Sequence, residues 1–163
     1  MAYSTVPKVR RDGKITLFSG STNLEIQYEE GNLSFDFTKP DQTVIRDRGI
    51  ISTVRKGDEQ PITGSFNAFF RQFTDGAEAG SLLDFINKDG AYSGNTSVSG
   101  TVYVEEYSIA IKYEVEGTDF GDDADHSIQL NNCVAIASFA EGDPSSFTIN
   151  FTSYDAPTIT GPA

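Results

Sequence analysis

Of the four carboxylates in the stretch NLEIQYEEGNLSFDF, residues 23–37, Glu25, Glu29 and Asp36 make up an outward row. They are spaced so that alternate side chains of an extended chain share a face. Paired carboxylates about 5 Å apart, or about 6.5–9.5 Å apart with room for a water, are the machinery of glycoside hydrolysis. Strand neighbours such as Glu25 and Asp36 reach those distances on any acidic sheet face, so spacing alone does not select the chemistry, and Trp, a common sugar platform, is absent. A second acidic group, Asp119, Asp122, Asp123 and Asp125, precedes the single histidine, His126. Oxygen-rich loops suit calcium, but the glycine and glutamate positions of an EF-hand loop are missing, and these residues read as a solvated acidic loop. One histidine supplies neither a two-histidine iron site nor the ligands of a catalytic zinc. No Gly-x-Ser-x-Gly elbow, phosphate-cradling loop or Cys-x-x-Cys pair occurs. The expectation is a non-enzyme without cofactor or metal.

With 163 residues the chain is expected to form a single domain, 1–163, with a basic N-terminal arm at about residues 1–13. Twelve Phe and seven Tyr provide bulky apolar matter, and 37% hydrophobic against 22% charged residues is ordinary for a globular chain. The lone Cys133, in the apolar run 133–137, reads as a buried thiol. The opening residues MAYSTVPK lack the apolar stretch of an export signal, and no run approaches the ~20 apolar residues of a membrane span, so a cytoplasmic site of synthesis and no membrane partner are expected. A net charge of −12 argues against a surface that grips nucleic-acid phosphates. Its distribution is uneven: residues 1–71 hold ten basic residues against nine acids, and residues 72–163 hold two against fifteen. Such halves complement one another in neighbouring copies.

The elements that would position these residues are short strands. Alternating or apolar runs recur at 14–18, 23–29, 32–38, 43–46, 50–55, 62–70, 98–104, 107–116, 127–139 and 146–153, a spacing that predicts an antiparallel sandwich or barrel. The clearest alternation sets Tyr107, Ile109, Ile111, Tyr113 and Val115 against Ser108, Ala110, Lys112, Glu114 and Glu116, a half-buried strand. One segment differs. In SLLDFINKDG, residues 81–90, Leu82, Phe85 and Ile86 fall at helical spacing behind a capping pair, Ser81 and Asp84. The echo between GSFNAFF (64–70) and SSFTINF (145–151) records either a duplication or two strands that solve one packing problem.

If Glu30-Gly31 is a two-residue turn, Ile26 pairs with Phe35 and Leu24 with Phe37, which gathers the apolar side chains on one face and sets Gln27 opposite Ser34 and Glu25 opposite Asp36. Like charges directly opposite cost about 0.2–1 kcal/mol. That register predicts a face kept negative for a reason or left to solvent. Thr148, Asn150 and Thr152 alternate with Phe147, Ile149 and Phe151 and add a second polar, cation-free strip.

These pieces, VPKVRRDGKITLFSG, LEIQYEEGNLSFDF, RKGDEQPITGSFNAFFRQF, SLLDFIN and FTINFTSYDAP, follow one another over most of the chain. In that order they resemble the tail tube (major tail) proteins of tailed bacteriophages, which are similar in fold to type VI secretion tube proteins. The resemblance implies a mostly β fold of two packed antiparallel sheets with one short flanking helix. It implies six copies closed into a ring, rings stacked into a tube in the virion tail, assembly in the host cytoplasm, and DNA passing through without specific binding. The partners implied are the tape measure, tail-tip or baseplate, and tail terminator proteins. On this reading Glu25, Gln27, Glu29, Ser34, Asp36, Thr148 and Asn150 face the lumen. Contacts between subunits or rings fall to Lys8, Arg10, Arg11, Arg46, Arg48, Arg55, Lys56, Asp58 and Glu59, meeting Asp122, Asp123, Glu141 and Asp143. The rivals are a secretion tube or a baseplate or tail-tip ring protein, and a monomeric carbohydrate-binding β-sandwich.

Overall fold

A computed structural model describes residues 13–26, 31–73, 81–115 and 126–161. Lys8, Arg10, Arg11, Gln27, Glu29, Asp122 and Asp123 lie outside the described residues, as do most of the basic arm, Glu30, Asp119 and Asp125. The elements run β1 (Gly13–Ser19), β2 (Thr22–Ile26), β3 (Gly31–Phe35), β4 (Gln42–Asp47), β5 (Ile50–Lys56), β6 (Ile62–Phe69), α1 (Leu82–Asn87), a 3₁₀ turn at Gly90–Tyr92, β7 (Ile109–Val115), β8 (His126–Ala140), β9 (Ser146–Ser153) and β10 (Thr158–Thr160). Two antiparallel sheets result. The larger has the order β2-β1-β7-β8-β9-β6-β3, with β10 added alongside β8, and β4 and β5 form a separate ribbon.

A two-residue period builds the large sheet. β1 turns Ile15 and Leu17 inward, β7 Ile109 and Ile111, β9 Phe147, Ile149 and Phe151, and β6 Ile62 and Phe66. Residues of β1 and β9, far apart in strand order, belong to one core cluster, so the sheet turns over on itself and its two halves pack face to face. β8 makes the corner. Its first part pairs with β7 and its second with β9, and between them Asn132 takes φ 48° where the β7–β8 register slips. The related runs at 64–70 and 145–151 are adjacent strands, Phe66 opposite Ile149, with their aromatic and aliphatic residues in the same core.

α1 follows its sequence signals. Ser81 Oγ accepts the Asp84 N–H at 3.1 Å, Phe85 and Ile86 are buried, and Lys88 ends the helix in the left-handed conformation, its N–H bonded to the Asp84 carbonyl. The strand expected at 98–104 is not one: that stretch is irregular and lies over β7, with the Val98 N–H on the Ser108 carbonyl and the Ser108 N–H on Ser97 Oγ. It buries Ser108 and covers the side of β7 on which Ala110 lies, 1% exposed, so this end of β7 is shielded on both faces.

Candidate functional site

The carboxylates of 23–37 do not converge. Glu25 lies opposite Thr16 of β1, and its carboxylate pairs with Lys14 Nζ at 3.2 Å. β3 pairs with β6 at the other edge of the sheet, so the expected register of Glu25 against Asp36 is incorrect. Alternation fixed the face of Leu24 and Ile26 but not their neighbour: opposite Leu17 and Ile15 they meet the same core. Across the strands, Glu25, Thr16, Lys112 and Gln129 form one row, beside Lys14, Glu114 and Ser127, with Lys112 ion-paired to Glu114. The outer face of this half of the sheet therefore balances its own charges. Glu25 belongs to it, with a lysine beside it.

The other half differs in kind. On the outer face of β3, β6, β9 and the second part of β8, Ser34, Ser65, Asn150 and Ile136 form one row. Thr63, Thr152 and Val134 form the next, and Asn67, Thr148 and Ser138 the row on the other side. Asp36, whose N–H reaches the Thr63 carbonyl at 3.4 Å, adds a carboxylate at the end of β3. Ser34, Asp36, Ser65, Ile136, Asn150 and Thr152 line one shallow groove here. Four of the seven expected wall residues, Ser34, Asp36, Thr148 and Asn150, thus share a face that carries no cation among the described residues, and Thr148 Oγ1 bonds Asn67 Oδ1 at 3.1 Å. Two aliphatic residues of β8, Val134 and Ile136, were not anticipated on it, and Ile136 is 68% exposed. Both margins are open: among the described residues no strand pairs with the far side of β3, and β7 reaches along β8 only to Cys133. Unpaired strand margins invite continuation by another chain.

The third surface is the β4–β5 ribbon. Residues 36–41 run beside 57–63 beyond the sheet, with Asp41 N–H on the Asp58 carbonyl and Gln60 Nε2 on Asp41 Oδ2. Every residue of 41–56 is exposed, including Val44, Ile45, Ile50, Ile51 and Val54. Arg46, Arg48 and Arg55 have no partner among the described residues, whereas Lys56 pairs with Glu59 at 3.5 Å. A two-stranded ribbon alone is marginal in water, and this one shows aliphatic side chains on both faces. The sequence signal was the lack of alternation in TVIR and IISTV, which marks strands without a solvent face. Glu141 and Asp143 are exposed in the β8–β9 connection, at the other end of β6 and β9.

The fold is shared with chains of contractile injection particles. A chain in the cryo-EM structure of the anti-feeding prophage cap, described as the tube-terminating cap, superimposes with a TM-score of 0.61 at 12% identity over 100% of this chain and 95% of that one. A chain in the PVC sheath–tube complex of an extracellular contractile injection system, in the extended state, gives 0.56 at 12% over 90% and 88%. One in the corresponding sheath/tube terminator structure gives 0.58 at 13% over 98% and 99%. No protein-family model and no curated protein matches the sequence.

On this fold a partly buried polar clasp holds the irregular segment against the sheet. Asp155 Oδ2 accepts the Thr101 N–H at 3.0 Å and Asn132 Nδ2 at 2.6 Å, and Oδ1 accepts the Val102 N–H at 3.0 Å. Asn132 Nδ2 also donates to the Val102 carbonyl at 2.9 Å, and Ser108 Oγ bonds Asn132 Oδ1 at 3.3 Å. Gly100 passes so close that a Cβ would overlap the Asp155 carboxylate and the Asn132 amide. Val102, Tyr154 and Asp155 share a groove with Thr38, Pro40 and Gln60 at the base of the ribbon, so the clasp supports the ribbon's footing. Burial pushes the Cys133 thiol up to about 12. Tyr92 is raised by burial and by the Asp84 carboxylate. An inert thiol packed behind the corner of β8 is a core residue. Among the described residues no group of three or more His, Cys, Asp or Glu could hold a metal, and no helix is long and apolar enough to cross a membrane.

Proposed function

We propose that this chain is a structural, non-enzymatic subunit of a tail-type tube. Copies close edge to edge into hexameric rings, the rings stack, and the outer face of β3, β6, β9 and the second part of β8 becomes the wall of a conduit for DNA in a phage tail. One observation carries the reading: a four-stranded face that, among the described residues, is uncovered, free of cations and open along both margins. A face of that kind continues from copy to copy by strand pairing, and closure removes the exposed edges. A wall without cations does not hold a polyanion by counterion release. The exposed ribbon then has a place in the assembly, and tape measure, tail-tip or baseplate, and terminator proteins are the partners at the tube's interior and ends.

A second reading, a ring protein at one end of a tube, is favoured by the full-length likeness to the cap chain. Negative-stain microscopy and sedimentation of the purified protein at rising concentration separate the two. Hollow tubes support the repeating subunit, and single rings that never elongate support the end protein. A monomer that persists at high concentration overturns both and returns the sugar-binding sandwich to consideration.

A further inference from the structure

The ribbon and the only large aromatic cluster in the described residues lie at opposite ends of the same strands. β4 and β5 leave the body beside Ile62, at the start of β6. Phe70, Phe73 and Phe139 cluster at its end, about 24 Å away at 3.4 Å per residue, and stand over buried Phe147. Ring centroids are 4.6 Å apart for Phe70–Phe73, 5.2 Å for Phe70–Phe139 and 5.1 Å for Phe73–Phe139. Phe73 and Phe139 nevertheless remain 49% and 45% exposed.

The ribbon's chemistry matches that cluster. The β4–β5 register sets Val44 opposite Val54 and Gln42 opposite Lys56, then slips by one residue so that Arg46 faces Ile51 and Ser52 has no opposite. The slip brings an isoleucine rather than a serine onto the face of Val44, Val54 and Arg46. That face is aliphatic and basic, with no acid. The exposed acids Glu141 and Asp143 flank the phenylalanine cluster, and Arg71, a cation at that end, is already engaged within its own chain. Aliphatic side chains cover half-exposed rings, and an arginine gains both the ring faces and the carboxylates.

We propose that the Val44–Arg46–Ile51–Val54 face of one copy's ribbon docks on the Phe70–Phe73–Phe139 cluster of the next copy, with Arg46 and Arg48 against Glu141 and Asp143. Two different surfaces at opposite ends make a heterologous contact, which stacks copies rather than pairing them. The inference rests on the assembly reading above and names the surfaces that join successive rings.

The test uses the full chain in a Cys133→Ala background. Ile51→Cys protein is mixed with Phe139→Cys protein under oxidation, each variant first shown to fold by circular dichroism. A 51–139 cross-link in the mixture, absent from either variant alone, is the expected result. In parallel, Arg46→Glu with Arg48→Glu should raise the concentration needed for tube formation at least about tenfold, and Glu141→Arg with Asp143→Arg in the same chain should restore it to within about threefold. Should the cysteine variants not fold, the charge-reversal pair decides alone. Tubes that form without the cross-link, or charge reversals that the compensating pair does not rescue, overturn this docking and leave the tube reading standing. A wild-type protein that never assembles overturns both.

Discussion

Asp155→Ala should loosen the end of the molecule from which the ribbon springs. Asp155 accepts three hydrogen bonds, from the N–H groups of Thr101 and Val102 and from Asn132 Nδ2. Bonds to a charged group contribute about 1.5–3 kcal/mol each, so a simple sum would reach about 5–9 kcal/mol. The sum overstates the loss. Thr101 and Val102 are exposed, so water replaces their partner, and Asn132, 2% exposed, keeps its bond to the Val102 carbonyl. What remains is a buried amide with one donor unmatched and a loop with one anchor fewer, about 2–3 kcal/mol. Urea unfolding should be measured where the chain is monomeric, because assembly stabilises the folded state by mass action. Asp155→Asn, which keeps one acceptor, should recover about half of the loss. Gly100→Ala pushes into the same carboxylate and amide, so it should cost a similar amount, and the double variant should fall well short of additivity. A loss below about 0.5 kcal/mol for Asp155→Ala, the range of ordinary surface changes, or full additivity with Gly100→Ala, would refute the clasp.

Ser81→Ala removes both the cap of α1 and a bond from Ser81 Oγ to the Phe73 carbonyl at 2.8 Å, and should cost about 1–2 kcal/mol in thermal or urea unfolding. Glu25→Gln breaks a partly exposed pair with Lys14, and its cost should stay below about 1 kcal/mol and shrink in high salt. The Cys133 thiol should be inert to thiol reagents at pH 8 until the chain unfolds. Its folded pKa of about 12 lies above the ordinary 9.0, so the neutral thiol's contribution is complete below about pH 9 and is lost as pH rises toward 12. By about pH 10.5 wild type should have lost about 2 kcal/mol more, relative to pH 8, than Cys133→Ala; parallel pH profiles would remove the thiol from the account.

The strand content was legible because apolar alternation is a local signal. β1, β6, β7 and β9 lie close to where their periods put them, and α1 begins at the Ser81 cap that its sequence displays. Neighbours were not legible in the same way. The alternation of Leu24 and Ile26 is satisfied by any inward-facing partner, so a short loop at Glu30-Gly31 suggested β3, whereas the chain places β2 on β1 and β3 on β6. The same limit hid the irregular path of 98–104, where Val98 lies over β7 while Val102 and Tyr103 stay exposed, and β10, three residues too short to show a period. The ribbon's strands were visible, but their full exposure was not. It follows from what lies around a segment, and no periodicity within 42–56 reports it.

The displacement of Glu25 alters the physics of the proposed conduit. A wall bearing Glu25, Glu29 and Asp36 would repel a polyanion. Among the described residues that face bears one carboxylate, Asp36, with hydroxyls, amides and the aliphatic Val134 and Ile136. The charge of Asp36 acts over only ~8–10 Å at physiological ionic strength, so on the described residues passage would rest on the absence of cations rather than on repulsion. The two accounts diverge on variants. If absence is what matters, Asp36→Asn should leave the rate of DNA delivery from assembled particles within about twofold of wild type. Asn150→Lys would place an ammonium in the centre of the face, where each neutralised phosphate releases counterions, and it should slow delivery strongly at low salt and progressively less as salt rises. A delivery rate that falls as far for Asp36→Asn as for Asn150→Lys would return repulsion to the account and make that single carboxylate the working group of the wall.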